Sequence, residues 1–236
     1  MIWPPEYTLK KHPRARHVKL KASAHHGLEI VVPLRFNPKH IPEILENNKA
    51  WIEKKLEELR VASQIEEVPF LPENISFIAF NSIWQIHYVK THNKNISLIS
   101  RPNQELVLLG NIDNIKSCKK LLIQWIKEKA KQLLSTHLQV VSQQLNLPYG
   151  KATIRAQSTR WGSCSSTQTI SLNYKLLFLP TELMTHVLIH ELCHTVHMNH
   201  SGKFWRLVAS FDSNWKEHNR QVRQADQYVP RWLTIK

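Results

Sequence analysis

His190, Glu191 and His194 follow one another in the order His-Glu-x-x-His, a spacing that puts metal chemistry on a helix. Histidines four apart lie on one helical face about one turn apart, so both imidazoles can close on a single ion. Zinc takes imidazole nitrogen at roughly 2.0–2.1 Å and keeps an open coordination position in catalytic sites. Glu191 lies about 100° round the helix from His190, within reach of a metal-bound water without ligating the ion. The chemistry implied is hydrolysis by a zinc-activated water with Glu191 as general base, and Zn2+ is the expected cofactor.

A third ligand is expected from His200 or His197. His197 continues the helical stripe, but its Cα lies about 4.5 Å further along the axis than that of His194. Reaching back would line up the ligands where zinc wants a tetrahedron. His200 follows Met198 and Asn199, where a helix would end and the chain turn. A ligand from beyond that turn approaches from another direction, so His200 is the preferred choice. His197 then becomes a neighbouring or surface residue. Ser201 is placed to cap a following helix packed by Phe204, Leu207 and Val208, and Trp205 belongs either over the site or in the core.

Upstream, Arg160-Trp-Gly-Ser-Cys-Ser165 is a turn-rich segment before a strand over 169–173. A strand there can border a cleft and pair with an extended peptide by β-addition. Arg160 suits a carboxylate, a phosphate or a structural ion pair. With Tyr174 and His197 it is a candidate for contacting substrate or its transition state. Cys164 reads as a small buried residue without a histidine partner, and Cys193 as a poor competitor for three histidines.

The positioning elements are legible in outline. Pro180-Thr181 starts a helix expected over 181–197, with Thr181 as N-cap, followed by helices over 202–211 and 215–228. A long amphipathic helix is expected from about Asp113 to Leu145, with Leu121, Leu122, Trp125, Ile126, Leu133, Leu134, Leu138 and Val141 on its apolar side. Strand-like runs from Ile75 to Leu109 read as an antiparallel meander, and Ala152 to Ala156 as a further strand. Nearer the start, runs flanking Gly27 read as a hairpin. Apolar residues Ile41, Ile44, Leu45, Trp51, Ile52, Leu56 and Leu59 recur at helical spacing after Asn37-Pro38, up to about Arg60. Residues 64–74 hold two prolines and read as a connection. No composition shift marks a boundary, so one α+β domain over 1–236 is expected, with an N-terminal portion over 1–150 and a zinc-binding portion over 151–236.

The chain has 236 residues, 42% of them apolar, an ordinary globular value. Its 32 Lys and Arg against 18 Asp and Glu give a net charge of +14, which attracts polyanions such as nucleic acid or nucleotides. The basic run from Lys10 to Lys21 fits such a partner or the solvated face of a strand. Three scattered cysteines make no disulfide framework, and no stretch reads as a signal peptide or membrane span. A cytoplasmic location is the expectation.

Arg160-Trp-Gly-Ser-Cys-Ser165, Ile170-Ser-Leu-Asn173, His190-Glu-Leu-Cys-His194 and Asn199-His-Ser-Gly-Lys-Phe-Trp205 together resemble the YgjP-like metallopeptidase-domain proteins, relatives of SprT-like and WLM-type zinc proteases. The resemblance implies a zincin-type core with His190, His194 and His200 as ligands and Glu191 as catalytic base. Tyr174 stands where many of those proteins carry Trp. The function so implied is a zinc metallopeptidase acting on peptide or protein substrates. Two alternatives use the same residues: a hydrolase of nucleotides or other phosphorylated substrates, and a nucleic-acid-associated protease module.

Overall fold

The computed structural model describes residues 3–13, 15–23, 27–64, 71–157 and 159–234. The chain divides into two compact units, Met1–Pro69 and Phe70–Lys236. One apolar core runs from Ile75 to Leu233. Part of the proline-containing connection, residues 65–70, lies outside the described residues, as does Arg14 of the basic run.

In the first unit, β2 (Lys19–Ser23) and β3 (Gly27–Val32) form the expected antiparallel hairpin, with Gly27 at φ +60°. That left-handed backbone is one glycine adopts without steric cost. β1 (Tyr7–Lys11) pairs with the other edge of β3 in parallel. Leu28, Ile30 and Val32 alternate inward and pack with Ile41, Leu45 and Ile52. The single helix expected after Asn37 is broken into a 3-10 turn at Pro38–His40, α1 (Ile41–Asn47) and α2 (Lys49–Gln64). Asn48 makes the break, its side-chain amide donating to the Ile44 carbonyl at 2.8 Å.

The second unit carries every candidate site residue. Its first sheet has the order β4-β5-β7-β6, formed by Asn74–Phe77, Ser82–Lys90, Glu105–Gly110 and Ser97–Arg101 respectively. β7 lies parallel to β5 and antiparallel to β6, which corrects the expected simple meander. Burial explains the order. β7 has buried Leu106, Val107 and Leu108 in succession and takes an interior place, whereas β6 is mostly exposed and takes the edge. α3 (Ile115–Leu145) starts at Asn114, whose side chain accepts from the Ser117 amide, and ends at Asn146 in the left-handed conformation. Its buried Cys118, Leu122, Ile126, Ala130, Leu134 and Leu138 recur every four residues.

A second sheet has the order β8-β10-β9, from Lys151–Arg155, Thr169–Asn173 and Gly162–Cys164. β10 is its centre, parallel to β8 and antiparallel to β9. The sheet edges are therefore β8 and β9, the latter a strand concealed within the turn-rich segment, and not β10. α4 (Thr181–Cys193) is buried nearly all round, as a central helix must be. Thr181 is its first residue, not its cap: its hydroxyl donates to the Ala79 carbonyl at 3.1 Å. α5 (Gly202–Phe211) follows, capped by Ser201 as expected. The helix expected over 215–228 is split into α6 (Trp215–Val222) and a 3-10 turn at Ala225–Tyr228, before α7 (Arg231–Thr234). The result is a mixed α+β fold with parallel and antiparallel strand pairs. Among the described residues no helix is long and apolar enough to cross a membrane.

Candidate metal centre

His190 and Glu191 lie in the last turn of α4, and His194 is its C-cap. The helix stops four residues short of the expected end because the chain turns at Thr195 and His197, whose amides bond to the Leu192 and Cys193 carbonyls. That turn brings His200 back over His190. The Nε2 atoms of His194 and His200 lie 3.2 and 3.0 Å from Nε2 of His190. The three histidines form a group whose ligating atoms all lie within 4.8 Å of one another. His197 is not part of it. Its carbonyl, rather than its ring, serves the site by accepting from His194 Nδ1 at 2.9 Å.

A carbonyl only accepts, so His194 carries its proton on Nδ1 and presents a bare lone pair at Nε2. Burial and the neighbouring His194, His200 and His186 push His190 down to about 3, and burial also lowers His194. Both are neutral near pH 7, the form in which imidazole binds a metal. Donors of a tetrahedral zinc ion stand roughly 3.3 Å apart, given bonds of 2.0–2.1 Å. The observed separations therefore fit a small divalent ion, and the donor set suits zinc.

Phe204 forms the floor of the group. It is fully buried and lies against all three rings, stacked on His194 at 4.4 Å and edge-on to His190 and His200 at 4.9 Å. Burying a ring of that size contributes about 1.5–3 kcal/mol, which anchors α5 beneath the ligands. Trp205 takes the position over the site, stacked on the exposed His200 at 5.6 Å and on Trp215 of α6 at 4.7 Å.

Glu191 is 5% exposed, and its Oε2 has no hydrogen-bond partner. Burial raises its pKa to about 8, against the opposing pull of Arg160. An unpartnered buried carboxylate oxygen is costly and persists only where it has a task or an absent partner. Glycine at 162 makes the placement possible: a Cβ there would meet Glu191 Oε1 at 2.6 Å and Cγ at 2.7 Å. Gly162→Ala is accordingly expected to displace the carboxylate and lower kcat about tenfold or more, since small misplacements of a reacting group are expensive. Metal content measured on the same sample should stay at the wild-type value. Unchanged kcat would show that the contact does not position Glu191.

Arg160 is exposed in the loop before β9, close enough to act on Glu191 electrostatically. Its carbonyl accepts from Asn173 Nδ2, and Trp161 Nε1 donates to the Val222 carbonyl, tying the loop to β10 and α6. Tyr174 is buried in the core, its ring facing Lys127 of α3. Burial raises both nearby thiols, Cys193 to about 12, so neither presents a thiolate.

Sequence reasoning missed a second polar cluster beside the first. Asp212 Oδ2 accepts from His186 Nδ1 at 2.6 Å and from His218 Nδ1 at 2.9 Å, linking α4 to α6 at the end of α5. One nitrogen or oxygen atom from each of these three residues lies within 4.8 Å of the other two, as in the first group. The 2.6 and 2.9 Å separations are short hydrogen bonds, and Asn214 N donates to Asp212 Oδ1 at 3.0 Å, so both carboxylate oxygens have partners without an ion. Burial alone would raise Asp212, but the bonds from His218 and His186 outweigh it and hold the carboxylate below its usual range. Asp212→Asn is expected to cost about 1–3 kcal/mol in urea unfolding, as a buried bond is weakened or lost. An unchanged midpoint would show the cluster to be energetically idle. No local pattern announced it, because its members are joined only by the packing of three helices.

A family model for the YgjP-like metallopeptidase domain matches residues 16–225. No curated protein matches the chain. Among solved structures, the crystal structure of the metallopeptidase zymogen of Pyrococcus abyssi abylysin is 28% identical, with a TM-score of 0.37, covering 40% of this chain and 96% of that one. The match over 16–225 takes in nearly all of the chain and every residue of the histidine group: the chain belongs to the YgjP-like metallopeptidase-domain family.

Proposed function

We propose that the chain is a zinc-dependent metallopeptidase, with His190, His194 and His200 as ligands and Glu191 as general base. The observation that carries this reading is the convergence of three imidazole Nε2 atoms beside a buried carboxylate oxygen that has no partner. Zinc, when bound, supplies Lewis-acid polarisation of a carbonyl and lowers the pKa of water. Glu191 Oε2 takes a proton from the attacking water and returns it to the leaving amine, so one atom serves both transfers. Gly162 holds the carboxylate by close contact on its Oε1 and Cγ side, and the His197 carbonyl fixes the His194 tautomer. β9, at the sheet edge next to Glu191, offers backbone groups on which an extended peptide can pair. Arg160 stands at the rim, where it can attract a carboxylate of the substrate.

The test is hydrolysis of an unstructured protein by zinc-restored enzyme after chelation, with Glu191→Gln as control. Turnover that returns with zinc and is absent from the variant supports the reading; turnover indifferent to both overturns it. The exposed Arg160 favours a second reading, attack at phosphorus in a nucleotide or other phosphorylated substrate. Release of pyrophosphate or phosphate from nucleoside triphosphates, without cleavage of any polypeptide, would select it.

A further inference from the structure

The long helix α3 carries six lysines and one acidic residue, Glu128. Lys116, Lys120, Lys127 and Lys131 follow at intervals of four, seven and four, which returns each to one face. All four are exposed, and the row spans about 22 Å of helix axis. Among the described residues none of the four forms an ion pair.

Helix stability does not account for this row. Lys116 with Lys120, and Lys127 with Lys131, are like charges at i,i+4, each pair destabilising by about 0.2–0.5 kcal/mol. Lys116, Lys119 and Lys120 also crowd the positive end of the helix dipole, and the first turn has no acidic residue. The row continues onto neighbouring elements. Lys127 Nζ stands 5.8 Å over the ring of Tyr174, and Asn173 before it pairs in register with the exposed Arg155 of edge strand β8, which also bears the exposed Lys151.

We infer that this face of α3 with β8 binds the phosphate backbone of a double-stranded nucleic acid. A straight, rigid row of cations complements a duplex, with one charge per roughly 1.7 Å of axis. None of the four lysines is interleaved with an exposed aromatic that could stack on unpaired bases, which disfavours single strands. The exposed large apolar residues lie elsewhere, so the face has nothing to insert into a lipid surface. Contacts of this kind are independent of base sequence. The inference goes beyond peptide hydrolysis and does not depend on it.

The experiment is fluorescence anisotropy of the full chain with a labelled duplex over about 50–200 mM salt. The four-lysine row predicts a log–log salt slope of about −3.6 or steeper, given −0.9 per phosphate neutralised. Replacing Lys116, Lys120, Lys127 and Lys131 together by Gln should weaken binding about tenfold or more and flatten the slope by about 3–4. Replacing all four by Arg should preserve both. Cleavage of a short peptide, measured in parallel, should be the same in all three proteins. If the Gln variant loses its helical circular dichroism, Lys127→Glu alone carries the test, with the same direction expected. The inference is overturned if the wild type fails to bind duplex at low salt, or if the Gln variant binds as the wild type does. Tighter binding to phosphatidylserine vesicles or polyglutamate than to duplex would overturn it as well, assigning the face to a membrane or an acidic protein.

Discussion

Replacing Glu191 by Gln is expected to lower kcat for peptide hydrolysis by about 10²–10⁴-fold, the usual contribution of a general base. The two side chains are nearly the same size, so Gln should occupy the space against Gly162 with little repacking. An amide has no basic oxygen able to hold a proton, and the transfer is lost. Metal content should be unaffected, because the glutamate stands beside the three imidazoles without belonging to their group. KM should change little, since the carboxylate is buried rather than spread along the substrate edge. The measurement pairs steady-state kinetics with metal analysis of the same sample. Loss of metal together with activity would instead make Glu191 a ligand, and retained activity would remove it from the mechanism.

His200→Ala and His197→Ala should differ sharply, although the two histidines are only three residues apart. Without His200 the ion would lose one of three protein donors. Outer-sphere partners alone account for about 10–100-fold in metal affinity, so loss of a ligand should exceed about 100-fold. His197 contributes through its main-chain carbonyl, which accepts from His194 Nδ1 and survives substitution by Ala. Its variant should therefore bind the metal within about twofold of wild type, far short of the 10–100-fold expected for losing an outer-sphere partner. Competition with a chromophoric chelator gives both affinities. The reverse order would make the His197 ring the third ligand and contradict the geometry.

The legible parts of the site are those fixed by helix period. His190 and His194 needed only the four-residue repeat, and His200 needed only a helix end near Met198. The end comes earlier than expected, at Cys193, because turn bonds from Thr195, Val196 and His197 take over its last carbonyls. Features built by distant pairing stayed hidden. Gly162 looks like any turn glycine until β9 is seen packed on α4. Phe204 announces itself as a buried helix residue, and nothing local says that its ring floors three imidazoles. Asp212, His186 and His218 share no motif. The place of β7 between β5 and β6 follows from its continuous apolar run, a cue that a meander reading passes over. The run from Lys10 to Lys21 is conspicuous in sequence, and Lys10 pairs with Glu29 across β1 and β3; among the described residues Lys116, Lys120, Lys127 and Lys131 of α3 form no such pair.

The central claim is that three histidines hold a zinc ion, and X-ray absorption at the zinc edge of the zinc-loaded protein tests it most directly. Wild type should show three imidazole nitrogens at roughly 2.0–2.1 Å and no sulfur shell near 2.3 Å. His200→Ala, loaded to the same occupancy, should show two. A sulfur shell, or an unchanged nitrogen count in that variant, would contradict the account.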